Sequence, residues 1–235
     1  MRMRKKKHSA ERLAACEKYL FDPKGDSVKY DGSPIYLEIG AGKGRFACAM
    51  AQRHFDAHYF AMERVTDCVV IAAERAASGD FGELSNLRFM IENADNLLKI
   101  FAPGSVDTVF LNFSDPWTKK GYAKRRLTHR RYLALYMNLL RDGGCLRFKT
   151  DNVGLFDFSL EEIEAMGLKC SIVTRDLHAS EWNDGNIMTE YEENFSSQGV
   201  KINMLVLEKP AGFNPALDPV FLGENSYWRA SANGE

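Results

Sequence analysis

The chain has 235 residues, 45% of them hydrophobic, with 31 lysines and arginines against 32 acids and a formal net charge of −1. That is enough apolar material for one well-buried core, and no apolar run approaches the roughly 20 residues that a bilayer span needs. The five cysteines (Cys16, Cys48, Cys68, Cys145, Cys170) are odd in number and scattered, and no two sit at metal-ligand spacing, so they read as reduced core residues of a cytoplasmic protein rather than a disulfide framework.

The start, Met1-Arg-Met-Arg-Lys-Lys-Lys7, is basic with no apolar stretch behind it, which excludes a secretory signal. Residues 1–33 are expected as a basic arm and helix, and 34–209 as the main domain. Within that domain apolar runs alternate with helix-period segments, the pattern of an α/β fold with a mostly parallel sheet and helices on both faces. Tyr36–Ile39 reads as the first strand, followed by a glycine-rich loop and a helix over Arg45–Arg53. His58–Met62, ending at Glu63, is the second strand, and Thr66 or Asp67 is expected to cap the next helix, which stops at Ser78-Gly79. Leu87–Ile91 and Val106–Phe113 are the third and fourth strands. Thr128 is expected to cap a helix through Leu140, with a stop at Asp142-Gly-Gly144. Cys145–Lys149 is the fifth strand, followed by a helix over Gly154–Met166. The last two strands, Cys170–Leu177 and Lys201–Glu208, flank a polar stretch with a short helix near Glu190–Phe195, which suits an antiparallel hairpin at the sheet edge. Residues 210–235 carry no periodic signal and receive no role.

In an open α/β sheet, ligands sit beyond the carboxyl ends of the strands. The first such end carries Glu38-Ile-Gly-Ala-Gly-Lys-Gly44. Its glycines let the backbone turn sharply and approach a ligand closely, which singles out Gly40 and Gly42. The dinucleotide fingerprint would need a small residue where Arg45 stands. Glu38 would repel a pyrophosphate but attract the sulfonium and amino groups of S-adenosylmethionine. Glu63, at the end of the second strand, can accept both ribose hydroxyls, and Asn93, after the third, is placed for the adenine edge. The pattern favours S-adenosylmethionine over a nicotinamide cofactor.

The fourth strand runs into Asp115-Pro116-Trp117, where an acid-free segment begins. From Trp117 to Arg141 the charged residues are Lys119, Lys120, Lys124, Arg125, Arg126, Arg130, Arg131 and Arg141. Clustered cations bind polyanions by releasing counterions, so Lys120, Lys124, Arg125 and Arg126 are expected to meet nucleic-acid phosphates at the mouth of the site. Trp117 and Tyr122 can stack on bases. His54, His58, His129 and His178 show no paired ligand spacing, and no metal is expected.

Several motifs in order carry a family resemblance: Leu37-Glu-Ile-Gly-x-Gly-Lys-Gly-Arg45, Leu111-Asn-Phe-x-Asp-Pro-Trp117, Lys124-Arg-Arg-Leu127, Phe148-Lys-Thr-Asp-Asn152, and Thr189-Glu-Tyr-Glu192 followed by Phe195. The chain resembles the bacterial tRNA (guanine-N7)-methyltransferases from its N-terminal basic run to Lys209. The resemblance implies a Rossmann-like class I methyltransferase with an S-adenosylmethionine site made by Glu38, Glu63, Asn93 and Asp115. It also implies catalysis centred on Asp115, substrate contacts from Lys119, Asp151 and Thr189, Glu190, Tyr191 and Glu192, and a target guanosine in the tRNA variable loop. Ser114 and Thr118 stand where the family commonly has proline, Gly121 where a basic residue is common, and Asn93 where Asp is frequent. No membrane or obligate protein partner is implied.

Guanine N7 carries a free lone pair, so the chemistry needs no base. Asp115, with Asp151, is expected to accept hydrogen bonds from guanine N1–H and the 2-amino group, which adenine lacks. Two alternatives keep the fold: methylation of an exocyclic amine on another base, whose enzymes carry an Asn/Asp-Pro-Pro-aromatic loop unlike Ser114-Asp-Pro-Trp117, and a non-catalytic RNA-binding protein. A nicotinamide-dependent oxidoreductase is disfavoured by Arg45 and the basic segment.

Overall fold

The apolar runs become strands close to where the sequence puts them: β1 is Ile35–Ile39, β2 His58–Glu63, β3 Leu87–Ile91, β4 Val106–Asn112, β5 Leu140–Thr150, β6 Ile172–Thr174 and β7 Asn203–Glu208. This computed structural model describes residues 8–222; the basic residues expected at positions 2–7 and the stretch 223–235 lie outside the described residues. The strands form one sheet in the order β3-β2-β1-β4-β5-β7-β6. Strands β1 to β5 pair in parallel, and β7 runs antiparallel to both β5 and β6. The expected C-terminal antiparallel hairpin is therefore present, with the later strand inserted between β5 and β6.

The helices are α1 (Ser9–Ala14), α2 (Arg45–Arg53), α3 (Thr66–Ala77), α4 (Leu97–Ile100), α5 (Arg130–Leu139), α6 (Val153–Ala165) and α7 (Glu190–Ser196). The two larger of three apolar clusters lie on opposite faces of the sheet. One gathers Phe46, Ala47 and Ala51 of α2 with Val69, Ala72 and Ala76 of α3. The other gathers Leu133, Tyr136 and Met137 of α5 with Phe156 and Ile163 of α6. Parallel strands buried on both faces read as continuous apolar runs, as here.

Local departures have identifiable causes. Thr128 does not cap α5; His129 does, its Nδ1 accepting from Arg131 N–H at 3.2 Å, while Thr128 is buried and accepts from Ser159 Oγ at 2.7 Å. Val65, not Thr66 or Asp67, is the cap residue of α3, and Glu63 accepts its N–H at 2.9 Å. Asp142-Gly-Gly144 does not end a helix: it lies inside β5, which begins at Leu140 and shifts register against β4 between Val106 and Thr108. The strand expected over Cys170–Leu177 shrinks to three residues. Although residues 210–222 lack periodicity, Phe221 is buried against Tyr132, with ring centroids 5.5 Å apart.

Candidate nucleotide and substrate site

At the carboxyl ends of β1, β2 and β4 lies a cavity of about 500 Å³, lined by Gly40, Glu63, Asn93, Asn112, Phe113, Asp115 and Trp117 among others. It sits where an open α/β sheet places its ligand. The glycine-rich loop forms one wall. Gly40 and Ala41 both donate their N–H groups to Met62 O, at 2.8 and 3.0 Å, which fixes the loop to the end of β2. Gly40 and Gly42 have φ of 85° and 55°, and a Cβ at either would meet nothing within 4 Å, so bare backbone faces open space. Gly44 is different: a Cβ there would lie 2.6 Å from Ala72 Cβ and 3.0 Å from the Phe89 ring. Its role is to let α2 pack closely on α3 and β3.

The two acids of the loop region sit in contrasting places. Glu63 lines the cavity; one carboxylate oxygen accepts from Gly42 N–H at 3.1 Å and the other from Val65 N–H at 2.9 Å. Each oxygen keeps a second lone pair, so a bidentate grip on two hydroxyls is compatible with this arrangement. Glu38 is only 1% exposed and does not line the cavity; Asn112, which does, donates to it at 3.0 Å. Burial pushes the Glu38 carboxyl up to about 7 despite that hydrogen bond. Asn93 lines the cavity and caps the turn that follows, its Oδ1 accepting from Asp95 N–H at 3.3 Å. Behind it, Asp95 is held by Tyr132 Oη at 2.7 Å and Arg131 at 3.3 Å.

The turn after β4 is the most constrained segment of the site. Phe113 and Trp117 have φ of 53° and 41°, a region that costs non-glycine residues energy and concentrates at functional sites. Between them the exposed Asp115 lines the cavity. Its carboxylate has no hydrogen-bond or ion-pair partner among the described residues. Arg126 donates to Pro116 O at 2.9 Å and Trp117 O at 3.2 Å, and its guanidinium lies 4.3 Å from the Phe158 ring centroid. Expected at a phosphate, Arg126 is turned inward and pins the turn.

The rest of the basic segment divides in the same way. Arg130 pairs with Glu162 at 2.8 Å, Arg131 with Asp95 at 3.3 Å, and Arg141 with Asp107. Arg125 lies over the rings of Tyr122 and Trp117, at 4.6 and 5.1 Å, and those rings meet edge-on at 5.9 Å. Lys119, Lys120 and Lys124 are exposed and have no carboxylate partner among the described residues. The outward-facing cations are thus these lysines with Arg125, beside the cavity that Lys124 and Arg125 help to line.

Thr189 to Glu192 opens α7, where every side chain has an internal partner. Thr189 Oγ1 caps the helix by accepting from Glu192 N–H at 3.0 Å. Glu190 accepts from Arg75 at 2.5 Å, and Arg75 also donates to Lys43 O in the glycine-rich loop at 2.9 Å. Tyr191 donates to Asp151 at 3.3 Å, and its ring lies 4.9 Å from Phe113. Expected at the substrate, Glu192 is 0% exposed; its carboxylate meets Lys149 Nζ at 2.5 Å, His178 Nε2 at 2.9 Å and Asn186 Nδ2 at 2.9 Å. Burial alone would raise the Glu192 carboxyl, but the Lys149 charge and these hydrogen bonds outweigh it and hold it below the ordinary range.

Sequence reasoning named Arg131 and His178, and quoted Asn112 and Lys149 within motifs, but gave none of the four a place at the site. Lys149 carried a usable signal, because a charged residue in a strand buried on both faces needs a partner. A second cavity of about 220 Å³ lies between α2 and β1, β4 and β5, lined by Tyr36, Phe46, Arg53 and Arg147 among others. Asn112 lines both cavities, but the second receives none of the residues expected at the site.

Known proteins resemble this chain over most of its length. The model of a family described as putative methyltransferase matches residues 32–205. The tRNA (guanine-N(7)-)-methyltransferase of Lachnoclostridium phytofermentans is 42% identical over 211 residues, covering 88% of this chain and 97% of its own. That of Halalkalibacterium halodurans is 44% identical over 170 residues, covering 72% of this chain and 76% of its own. Among solved structures, 16S rRNA methyltransferase KamB superposes with a TM-score of 0.57 at 13% identity, covering 80% of this chain and 91% of its own. A 16S rRNA (adenine(1408)-N(1))-methyltransferase from Catenulisporales acidiphilia gives 0.53 at 14% identity, covering 90% of this chain and 96% of its own. At such identities these two speak for the fold alone.

Proposed function

This chain belongs to the tRNA (guanine-N7)-methyltransferase family, and we propose that Asp115, in the turn after β4, is the group that orients the target guanine. The enzyme transfers the methyl group of S-adenosylmethionine to N7 of a guanosine in tRNA. The residues around the larger cavity fit that cosubstrate: bare backbone at Gly40 and Gly42, Glu63 for the ribose, Asn93 for the adenine edge, and room of about 500 Å³. Bound there, S-adenosylmethionine supplies an electrophilic methyl group, which guanine N7 can take with its own lone pair.

No proton has to leave N7 first, so the protein's part is alignment and exclusion of water. Asp115 accepts hydrogen bonds from guanine N1–H and the 2-amino group, with Asp151 assisting from the end of β5. Adenine offers neither donor and would leave a carboxylate unmatched, which is how a polar site rejects the wrong base. The observation that carries this reading is the Asp115 carboxylate itself: it lines the cavity, has no partner within the described residues, and stands between two left-handed residues, Phe113 and Trp117, the second of which Arg126 holds. Lys119, Lys120, Lys124 and Arg125 bind the backbone phosphates around the target, which the family resemblance puts in the tRNA variable loop. The proposed location is the cytoplasm; among the described residues no helix is long and apolar enough to cross a membrane.

The direct test is incubation with labelled S-adenosylmethionine and unmodified tRNA, followed by nucleoside analysis. Label in N7-methylguanosine is expected. Label in another nucleoside would discard the guanine-orienting role of Asp115, and no label in any RNA would favour a non-catalytic RNA-binding protein.

A further inference from the structure

We propose that Glu192 is a positioning residue rather than a substrate contact: paired with Lys149, it seats α7 so that Tyr191 braces the Asp115 turn. The inference rests on the methyltransferase reading above and concerns how its site is held. A carboxylate that recognises a base must present free lone pairs to it. Glu192 can offer none to a base: Oε2 meets Lys149, Oε1 lies against both His178 and Asn186, and the residue has no exposed surface through which a ligand could reach it. The partners come from three places, β5, the turn before the 180s loop and that loop itself, so the carboxylate ties the whole segment 178–192 to the sheet.

A buried ion pair is weak evidence for stability, but breaking one partner leaves a buried charge unmatched, and such pairs can fix a unique arrangement. Here the arrangement is set one residue away. With Glu192 anchored inward, the next side chain back, Tyr191, is turned about 100° round the helix and half exposed, and its ring meets Phe113 at 4.9 Å and Phe195 at 4.2 Å. Phe113 is the left-handed residue that begins the Asp115 turn. Tyr191 Oη also donates to Asp151, the second carboxylate assigned to the guanine. On the flanks of the same helix, Glu190 holds Arg75 and Glu193 holds Arg45, the residue after the glycine-rich loop. One short helix therefore touches the Asp115 turn and Asp151 and reaches the cosubstrate loop through Arg45 and Arg75, and Lys149–Glu192 is its fixed point.

The test uses the full-length enzyme with Glu192→Gln, Lys149→Met, Tyr191→Ala and the Glu192→Gln/Tyr191→Ala double variant. Each single change is expected to lower kcat on tRNA by about 10- to 100-fold, with affinity for S-adenosylmethionine changed by less than about threefold, because misplacement of a reacting group by about 1 Å costs turnover on that scale. The double variant is expected to be no slower than the worse single, since both act through one contact. Hydrogen exchange, read without any substrate, should speed up at residues 113–117 in both Glu192→Gln and Tyr191→Ala. Tyr191 is half exposed and leaves the buried pair intact, so its variant remains informative if Glu192→Gln fails to fold. A Lys149→Met enzyme of normal kcat beside an inactive Glu192→Gln enzyme would make Glu192 a direct contact and overturn the proposal. Unchanged exchange at 113–117 in Tyr191→Ala would overturn it too, whether or not the wild type methylates tRNA. A wild-type enzyme that forms no N7-methylguanosine would instead refute the reading beneath it.

Discussion

Two short polar segments, the turn at 113–126 and the helix start at 189–193, look alike in sequence: each mixes acids or bases with aromatics just after an apolar strand or loop. The fold uses them in opposite ways. In the first, the backbone is strained and pinned from behind by Arg126, and the chemistry points outward, with Asp115 unpartnered among the described residues and Lys119, Lys120 and Lys124 exposed. In the second, every side chain from Thr189 to Glu193 is satisfied internally. A residue that recognises a ligand must keep hydrogen-bonding capacity unspent, whereas a residue that positions others must spend it.

The largest expected effect breaks the outward side. Asp115→Ala should lower kcat on tRNA by about 10³-fold, because two hydrogen bonds to a charged acceptor are worth ~1.5–3 kcal/mol each. Steady-state methylation measures it, and turnover near that of the wild type would end the guanine-orienting role. The next test sharpens the inward side by comparing two buried carboxylates. Glu192 has a lysine beside it, whereas Glu38 is bonded to the neutral Asn112 and titrates near 7. Folded Glu38 thus keeps a proton that the unfolded chain, with an ordinary value of 4.5, releases. Stability should fall as pH rises from about 4.5 to about 7, by up to ~1.4 kcal/mol per pH unit, and stay level above that. Glu38→Gln should remove this slope, so its advantage in thermal unfolding over the wild type should grow between pH 5 and 7; parallel profiles would show that Glu38 is charged throughout.

Smaller effects separate cations that the sequence could not tell apart. Arg126→Ala should slow turnover by about 10-fold, losing two hydrogen bonds to the turn at roughly 1 kcal/mol or more each, and this loss should barely depend on salt. Lys124→Ala should leave kcat alone, raise KM for tRNA a few-fold, and reduce the slope of log affinity against log salt by about 0.7–0.9. If both variants behave alike under added salt, the inward and outward division of the basic segment fails.

Much of this molecule was legible in the chain itself. The strand and helix series, the antiparallel edge, the glycine-rich loop and the Asp-Pro-Trp turn follow from local periodicity and backbone chemistry, which neighbouring residues determine together. The short motifs in order were enough for the family. What only the tertiary structure decided is the use of individual charges. Arg126 lies over Phe158 and donates to the turn, and Glu192 meets Lys149 and His178. Glu38 lies beneath the cavity behind Asn112. Glu192 and Lys149 are 43 positions apart and Glu38 and Asn112 are 74. No local pattern records such pairings, because they arise only when β1, β4 and β5 lie side by side and buried polar groups must find partners there.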